Sequence, residues 1–325
     1  MKKLEEYIAL AEKALNEIDY PKVPAGLYEP IQYGMSQGGK RLRPVLLLAS
    51  YEALGGNPED VLSQAAAIEM YHNFTLLHDD VMDNADLRRG QPTVCRKWND
   101  NTAILSGDAM LTMASMLLLK NMPAEKVIKL SQTFNKAAIE VFEGQQYDMD
   151  FESRNNVTID EYIHMIRLKT SVLLGCACKL GAEAADGESE KCEALYNFAM
   201  NLGVAFQLQD DWLDVYGDAK VFGKAIGGDI LNNKKTLLLI NAMNIAKGAD
   251  KEELDYLLNS TEVFPAEKIA AVTSIYNRLG IDKICVENIE KYNNIALDYL
   301  AKAGLDEDAY NFFVEFDKKI MGRNK

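Results

Sequence analysis

The chain has 325 residues, is 48% hydrophobic and 26% charged, and carries only 8 prolines, a globular composition and not a disordered one. Its formal net charge of −14 excludes the basic face on which nucleic-acid binding rests, so no nucleic-acid partner is expected. The same charge repels an anionic substrate, so any phosphate site has to be local and rich in cations.

Apolar residues recur at helical spacing from the start. Leu4, Tyr7, Ile8, Ala11, Leu15 and Ile18 form an i, i+3, i+4, i+7 stripe that Pro21 and Pro24 end. Acids run through this stretch, so no signal peptide is expected. Further helices are predicted over roughly 44–54, 60–84, 101–121, 124–151, 158–185, 189–216, 233–247, 250–259, 265–279, 282–303 and 306–321. Thr158 and Glu161 make a capping box, and Pro265 after Phe264 is a first-turn proline. No period-two alternation of strand length occurs. The Gly-Gly pairs at 38–39, 55–56 and 227–228 and Asn155-Asn156 read as short turns, so one all-α domain over 1–325, helices packed around a core, is expected. The most apolar stretch, near Met110–Leu119, is about half of the ~20 residues a membrane span needs, and no span is expected. Cys95, Cys176, Cys178, Cys192 and Cys285 show no metal-ligand spacing and read as reduced, buried thiols of a cytoplasmic protein.

Chemistry concentrates in a few places. Asp79-Asp80-Val81-Met82-Asp83 and Asp210-Asp211-Trp212-Leu213-Asp214 are both D-D-x-x-D at the end of a long apolar helix. Asp79 and Asp83 fall one turn apart on one helix face, as do Asp210 and Asp214. Carboxylates stacked in this way repel unless a cation lies between them. Oxygen-only ligands on a rigid helix suit magnesium shared with a phosphate. One such motif alone reads equally well as a solvated acidic helix end. Two, preceded by the apolar runs Ile68–Leu77 and Leu202–Leu208, do not.

Gly38-Gly39-Lys40-Arg41-Leu42-Arg43-Pro44 joins a flexible turn, three cations and a helix start, which together make an anion site. Arg88-Arg89-Gly90 follows Asp83 closely, so one diphosphate can be reached by metal and by guanidinium at once. Lys169-Thr170 lies within an otherwise apolar helix, where a lysine ordinarily snorkels. Phe206-Gln207-Leu208-Gln209 precedes the second acidic motif, and Lys224 and Lys234 follow it.

These residues, in this order, resemble the trans-isoprenyl diphosphate synthase family, which includes the farnesyl and geranylgeranyl diphosphate synthases. The resemblance runs from about Gly38 to Thr236 and is carried by GGKRLRP, LLHDDVMDNADLRRGQPT, LSGDAML, KT and FQLQDDWLDVYGD. It implies a homodimeric all-α barrel around a deep apolar pocket, with the two aspartate motifs facing each other at its mouth. By match, Asp79, Asp83 and Asp210 hold three magnesium ions against an allylic diphosphate, with Asp80, Asp211 and Asp214 in support. Arg88, Lys169, Lys224 and Lys234 are expected on that diphosphate, and Lys40, Arg43, His72 and Arg89 on isopentenyl diphosphate. Thr170 and Gln207 are expected to stabilise the allylic cation, and Arg323 and Lys325 to form a basic closing tail. His72 read without the family is a satisfied helix histidine.

The implied reaction condenses isopentenyl diphosphate with dimethylallyl, geranyl or farnesyl diphosphate by ionisation. Five positions before the first aspartate the family places a floor to the product pocket, here Phe74. Thr75 stands where short-chain eukaryotic members have a second aromatic, and Tyr71 offers a lower floor. The pattern most resembles archaeal geranylgeranyl synthases, so a twenty- or fifteen-carbon product is expected. The alternatives are a terpene cyclase of the same fold, disfavoured by Lys40, Arg43 and Arg89, and a non-catalytic subunit of a hetero-oligomer, disfavoured by six intact acids. A calcium-binding helical protein is a third, but no D-x-D-x-D-G loop occurs.

Overall fold

A computed structural model describes residues 1–217, 226–260 and 262–322. The chain divides into two compact units.

The first unit comprises residues 1–137, 173–196 and 302–312. It holds α1 (Leu4–Asn16), α2 (Ala25–Ser36), α3 (Leu42–Ala53), α4 (Leu62–Met82), α5 (Val94–Lys97), α6 (Asp100–Leu119) and the first part of α7 (Ala124–Ser153). The run Val45–Ala49 in α3 is fully buried, as are Ala65, Ala67, Ile68, Met70 and Tyr71 in α4. Polar caps set the helix starts: the Asn99 side chain accepts from the Thr102 backbone N–H at 2.8 Å at the head of α6. Two departures from the periodicity stand out. Helix α2 was not expected, because Gly26, Pro30 and Gly34 dilute its signal; tertiary packing overrides propensity, and Gly34 lies where an added Cβ would come 2.9 Å from Leu77 Cδ1. Leu87–Arg88 and Gln91–Pro92 pair as a two-stranded antiparallel ribbon, too short to give an alternation.

Helix α6 is longer than the apolar stretch near Met110–Leu119 alone. Its apolar segment reaches back through Ala103, Ile104 and Leu105, so at 20 residues it is long and apolar enough to cross a membrane by length and composition alone. Ile104, Leu105 and Met116 on it are exposed.

The second unit comprises residues 138–172, 197–301 and 313–325. It takes in the end of α7, α8 (Ile159–Ile166), a π-helical turn over Arg167–Ser171, and most of α10 (Ser189–Tyr216); α9 (Val172–Ala184) lies almost wholly in the first unit. Helices Gly228–Leu231, Leu237–Ile245, Gly248–Asn259, Pro265–Leu279, Ile281–Lys302 and Glu307–Met321 follow. Tyr162, Ile163, Ile166, Val204, Leu208, Leu237–Ile240, Ile275 and Tyr276 form its core. The capping box is present: the Thr158 side chain accepts from the Glu161 N–H and Glu161 accepts from the Thr158 N–H at 2.9 Å. Pro265 opens its helix as expected.

The π-turn interrupts what the periodicity gave as one helix over 158–185, and two glycines explain how it fits. A Cβ on Gly144 of α7 would lie 2.2 Å from the Lys169 backbone nitrogen, and one on Gly203 of α10 would lie 2.8 Å from Ser171 Cα. Each glycine sits inside a helix at a cost of about 1 kcal/mol relative to alanine, and each admits the widened turn that carries Lys169 and Thr170.

All five cysteines are buried and unbridged, as expected. The fold among the described residues is all-α apart from the short ribbon.

Candidate active site

The first unit gathers the cationic candidates. Gly38 and Gly39 both have positive φ, and Arg41 caps α3 in the left-handed region at φ 52°. The buried Arg41 guanidinium donates to Glu12 at 2.7 Å and to buried Glu69 at 2.9 Å. It is thereby committed to structure, whereas Lys40 is exposed and Arg43 is turned inward from this turn. Arg89 donates to the Gly38 carbonyl, and its guanidinium lies 3.1 Å from where a Gly39 Cβ would stand. The glycine turn and the Arg-Arg-Gly turn, 50 residues apart in sequence, thus form one structure. A side chain at Gly39 would press on the Arg89 guanidinium and would be strained by a φ of 147°.

Arg43 Nε is buried without a hydrogen-bond partner. Removal from water pushes the Arg43 guanidinium down to about 10; the charge of Arg89 adds to this and Glu69 opposes it. Desolvation, and then the charges of Arg43, Arg89, Arg88 and Arg41, hold His72 well below its usual range, so its imidazole is neutral. Arg41 and Arg88 are already paired with carboxylates, so Arg43, with its orphaned buried donor, and Arg89 form the open part of an anion cradle beside this histidine.

The first acidic motif ends α4. Asp83 is the C-cap, its N–H donating to the Asp79 carbonyl at 2.8 Å, so Asp79 and Asp83 stack one turn apart as predicted. Asp80 points elsewhere: it is buried and forked by Arg88 at 2.7–2.9 Å. Farther up α4, Phe74 meets Tyr71 edge-on at 5.4 Å, and Tyr71 meets Phe134 of α7 at 5.3 Å. The Thr75 hydroxyl donates to the His72 carbonyl at 2.8 Å. Phe134 was not anticipated, since nothing in local spacing ties it to α4.

The second unit gathers the other group. Lys169 donates to Asp148 Oδ2 at 2.6 Å, and the Thr170 hydroxyl donates to Gln207 Oε1 at 3.2 Å. Gln207 Nε2 donates to Asp211 Oδ1 at 2.9 Å, and the Tyr162 hydroxyl donates to Asp211 Oδ2. Burial pushes the Asp211 carboxyl up to about 7, opposed by Lys234 and reinforced by Asp229. Asp214 Oδ2 accepts from the Asp229 N–H at 3.0 Å. Lys234 approaches Asp229 at 3.9 Å. Burial also raises Asp229, and the charges of Asp214, Asp210 and Asp148 add to it. Asp148, Asp229 and Tyr162 escaped the sequence reading; Asp229 follows a Gly-Gly turn, which is the one local signal among them. Lys224, Arg323 and Lys325 lie outside the described residues.

Among the described residues no three histidine, cysteine or carboxylate side chains close into a metal cage. The donor set still fits magnesium, which keeps several waters and is held by one or two carboxylates together with substrate phosphate oxygens. Asp79 with Asp83, and Asp210 with Asp214, each offer that.

An all-α frame, an acidic motif at two helix ends and an arginine cradle around a neutral histidine define a chain-elongating prenyltransferase. The chain belongs to the polyprenyl synthetase family, whose model matches residues 24–278. Among its relatives, a geranylgeranyl diphosphate synthase of Methanosarcina mazei is 39% identical over 291 residues, covering 89% of this chain and 85% of that protein. A short chain isoprenyl diphosphate synthase of Methanothermobacter thermautotrophicus is 35% identical over 300 residues, covering 92% and 89%. A crystal structure of a geranylgeranyl pyrophosphate synthase matches with a TM-score of 0.94 at 42% identity, covering 100% of each chain.

Proposed function

We propose that the protein condenses isopentenyl diphosphate with an allylic diphosphate to give geranylgeranyl diphosphate as its main product. The observation that supports this best is the cradle around His72. Arg43 and Arg89 act on a neutral imidazole, and Arg43 keeps a buried N–H donor without a partner that an anion can take. Lys40, Arg43, His72 and Arg89 bind the isopentenyl diphosphate there. The allylic diphosphate is held by Arg88, Lys169 and Lys234, and Asp79, Asp83 and Asp210 would hold magnesium, three ions per site, against it. When bound, magnesium neutralises the charge that develops on the departing diphosphate.

The protein's own groups do the rest. Lys169 and Lys234 add positive charge at the leaving group. The oxygens of Thr170 and Gln207 face the allylic cation. Double-bond attack forms the new carbon–carbon bond, and the released diphosphate takes the proton then lost. Phe74, with Tyr71 and Phe134 behind it, closes the tail's path, and Thr75 leaves room that an aromatic would fill.

A homodimer in the cytoplasm is part of the same proposal. A second copy covers the exposed Ile104, Leu105 and Met116 of α6, which membrane lipid would otherwise have to cover. The deciding experiment incubates purified protein with magnesium, labelled isopentenyl diphosphate and each allylic primer in turn, with light scattering to read the mass. Elongation to twenty carbons by a dimer is expected. No elongation from any primer refutes the activity; cyclised hydrocarbon would make the protein a cyclase, and a monomer that partitions into vesicles would refute the dimer.

A further inference from the structure

We propose that Tyr162 is a positioning residue for the allylic cation, acting through Asp211 to fix which end of the Gln207 amide faces Thr170. The proposal rests on the prenyltransferase reading above and assigns a residue outside the two acidic motifs.

Tyr162 occupies an apolar position. With Ile159, Ile163 and Ile166 it forms the i, i+3, i+4, i+7 face of α8, and its ring is 1% exposed among Val204, Leu208 and Tyr276. A phenylalanine would fill that space equally well, so packing does not account for the hydroxyl. The hydroxyl donates to Asp211 Oδ2, and the Asp211 carboxylate is 4% exposed. Its other oxygen accepts from Gln207 Nε2 at 2.9 Å. Gln207 Oε1 then accepts from the Thr170 hydroxyl at 3.2 Å.

The order of these bonds is what matters. A primary amide has a donor end and an acceptor end of almost the same shape, so packing alone does not choose between its two orientations. Both Asp211 oxygens accept, Oδ2 from Tyr162 and Oδ1 from Gln207 Nε2. This arrangement turns the N–H end of Gln207 towards Asp211 and leaves the carbonyl end on the Thr170 side. A carbonyl dipole directed at a carbocation stabilises it, whereas the N–H end would do the opposite. Asp211 can impose this choice only while its own rotamer is fixed, and Tyr162 supplies the bond that fixes it. A buried carboxylate oxygen stripped of that donor turns to find another. The π-turn completes the arrangement by setting Thr170 where its hydroxyl reaches Gln207, a register that Gly144 and Gly203 permit.

The test uses Tyr162→Phe in the full chain. Thermal midpoint, both Michaelis constants and kcat are measured beside wild type. A roughly 10- to 100-fold fall in kcat is expected, with each KM within about twofold, because the groups that bind diphosphate are untouched. On a Gln207→Leu background, Tyr162→Phe should have no further effect on kcat. Asp211→Asn, which lets the amide bond in either orientation, should reproduce the loss and also silence Tyr162→Phe. A second readout needs no turnover: the Gln207 side-chain amide resonances, followed by hydrogen exchange, should lose protection about tenfold in Tyr162→Phe. Wild-type kcat in Tyr162→Phe, a full multiplicative loss on the Gln207→Leu background, or unchanged amide protection would each overturn the proposal. Should Tyr162→Phe fail to fold, Asp211→Asn decides by the same amide measurement. If wild type elongates no primer, the prenyltransferase reading falls while the amide measurement still judges the hydrogen-bond relay.

Discussion

Arg88 grips Asp80 through three hydrogen bonds, Nε to both carboxylate oxygens at 2.9 Å and Nη2 to Oδ1 at 2.7 Å. The middle acid of the first motif is therefore held by an arginine of the same chain, and its role differs from that of Asp79 and Asp83, which lie one turn apart on α4. Asp79→Ala and Asp210→Ala should each lower kcat by ~100-fold or more while the chain stays folded. Asp80→Asn keeps an acceptor for Arg88 and should cost only about tenfold, chiefly in the KM of the primer. Steady-state kinetics at saturating magnesium, with circular dichroism as the folding control, would sink this division of labour if Asp80→Asn cost as much as Asp79→Ala.

The two cationic groups should separate kinetically. Arg43→Ala removes the orphaned donor of the cradle and Lys40→Ala its outer charge, so both should raise the KM for isopentenyl diphosphate about tenfold or more with a small effect on the primer. Lys234→Ala should do the reverse. Initial rates with each substrate varied in turn measure this, and equal effects on both would reduce the assignment to one undivided anion patch.

Product length should follow the aromatic stack on α4. The helix rises 1.5 Å per residue, so moving the floor from Phe74 to Tyr71 deepens the pocket by roughly 4.5 Å, close to one isoprene unit. Phe74→Ala should add about one or two five-carbon units, and Thr75→Phe should shorten the product. Phe134, which meets Tyr71 edge-on, limits how far lengthening goes. If Phe74 is only a core residue, the same change costs ~3–5 kcal/mol of stability and leaves the product alone. Chromatography of the dephosphorylated products distinguishes the two.

One pH effect lies in the last helix. Asp317 is 3% exposed and its Oδ2 accepts from Asn293 Nδ2 at 3.4 Å, while Asp317 Oδ1 and the amide oxygen of Asn293 are buried without a partner. Burial pushes the Asp317 carboxyl up to about 6, against the Asn293 hydrogen bond and the charge of Lys318. The folded state therefore holds this proton more tightly than the unfolded chain. Its contribution to stability is full below the unfolded carboxylate range near pH 4 and is lost as pH rises through about 6. Asp317→Asn should remove this slope and stabilise the protein above pH 7 by roughly 1–2 kcal/mol. Urea midpoints from pH 4 to 8 for both proteins measure it; parallel curves would show that Asp317 does not titrate there.

Helical periodicity gave the helices because burial of one face is a local, repeating demand, and Leu4–Leu15 or Ile159–Ile166 show it plainly. It missed Ala25–Ser36, where Gly34 is chosen for its fit against Leu77 and the helix is held by partners distant in sequence. The charged motifs announced themselves because like charges packed at helical spacing need an external explanation. What spacing could not supply was pairing: that Arg41 belongs to Glu12 and Glu69, that Lys169 rests on Asp148, or that a tyrosine on an apolar face aims its hydroxyl at Asp211. The π-turn was equally hidden, since its cause sits in two glycines on other helices.

The five buried thiols have a practical consequence. Burial pushes Cys178 and Cys285 up to about 12, so almost no thiolate exists there at neutral pH. Thiol-directed reagents should leave the folded chain unmodified, and a single cysteine engineered at an exposed position away from α6, for example Tyr256 in the Gly248–Asn259 helix, would be the sole target of a fluorescent or spin label. The native protein is thus ready for distance measurements without first removing any of its own cysteines.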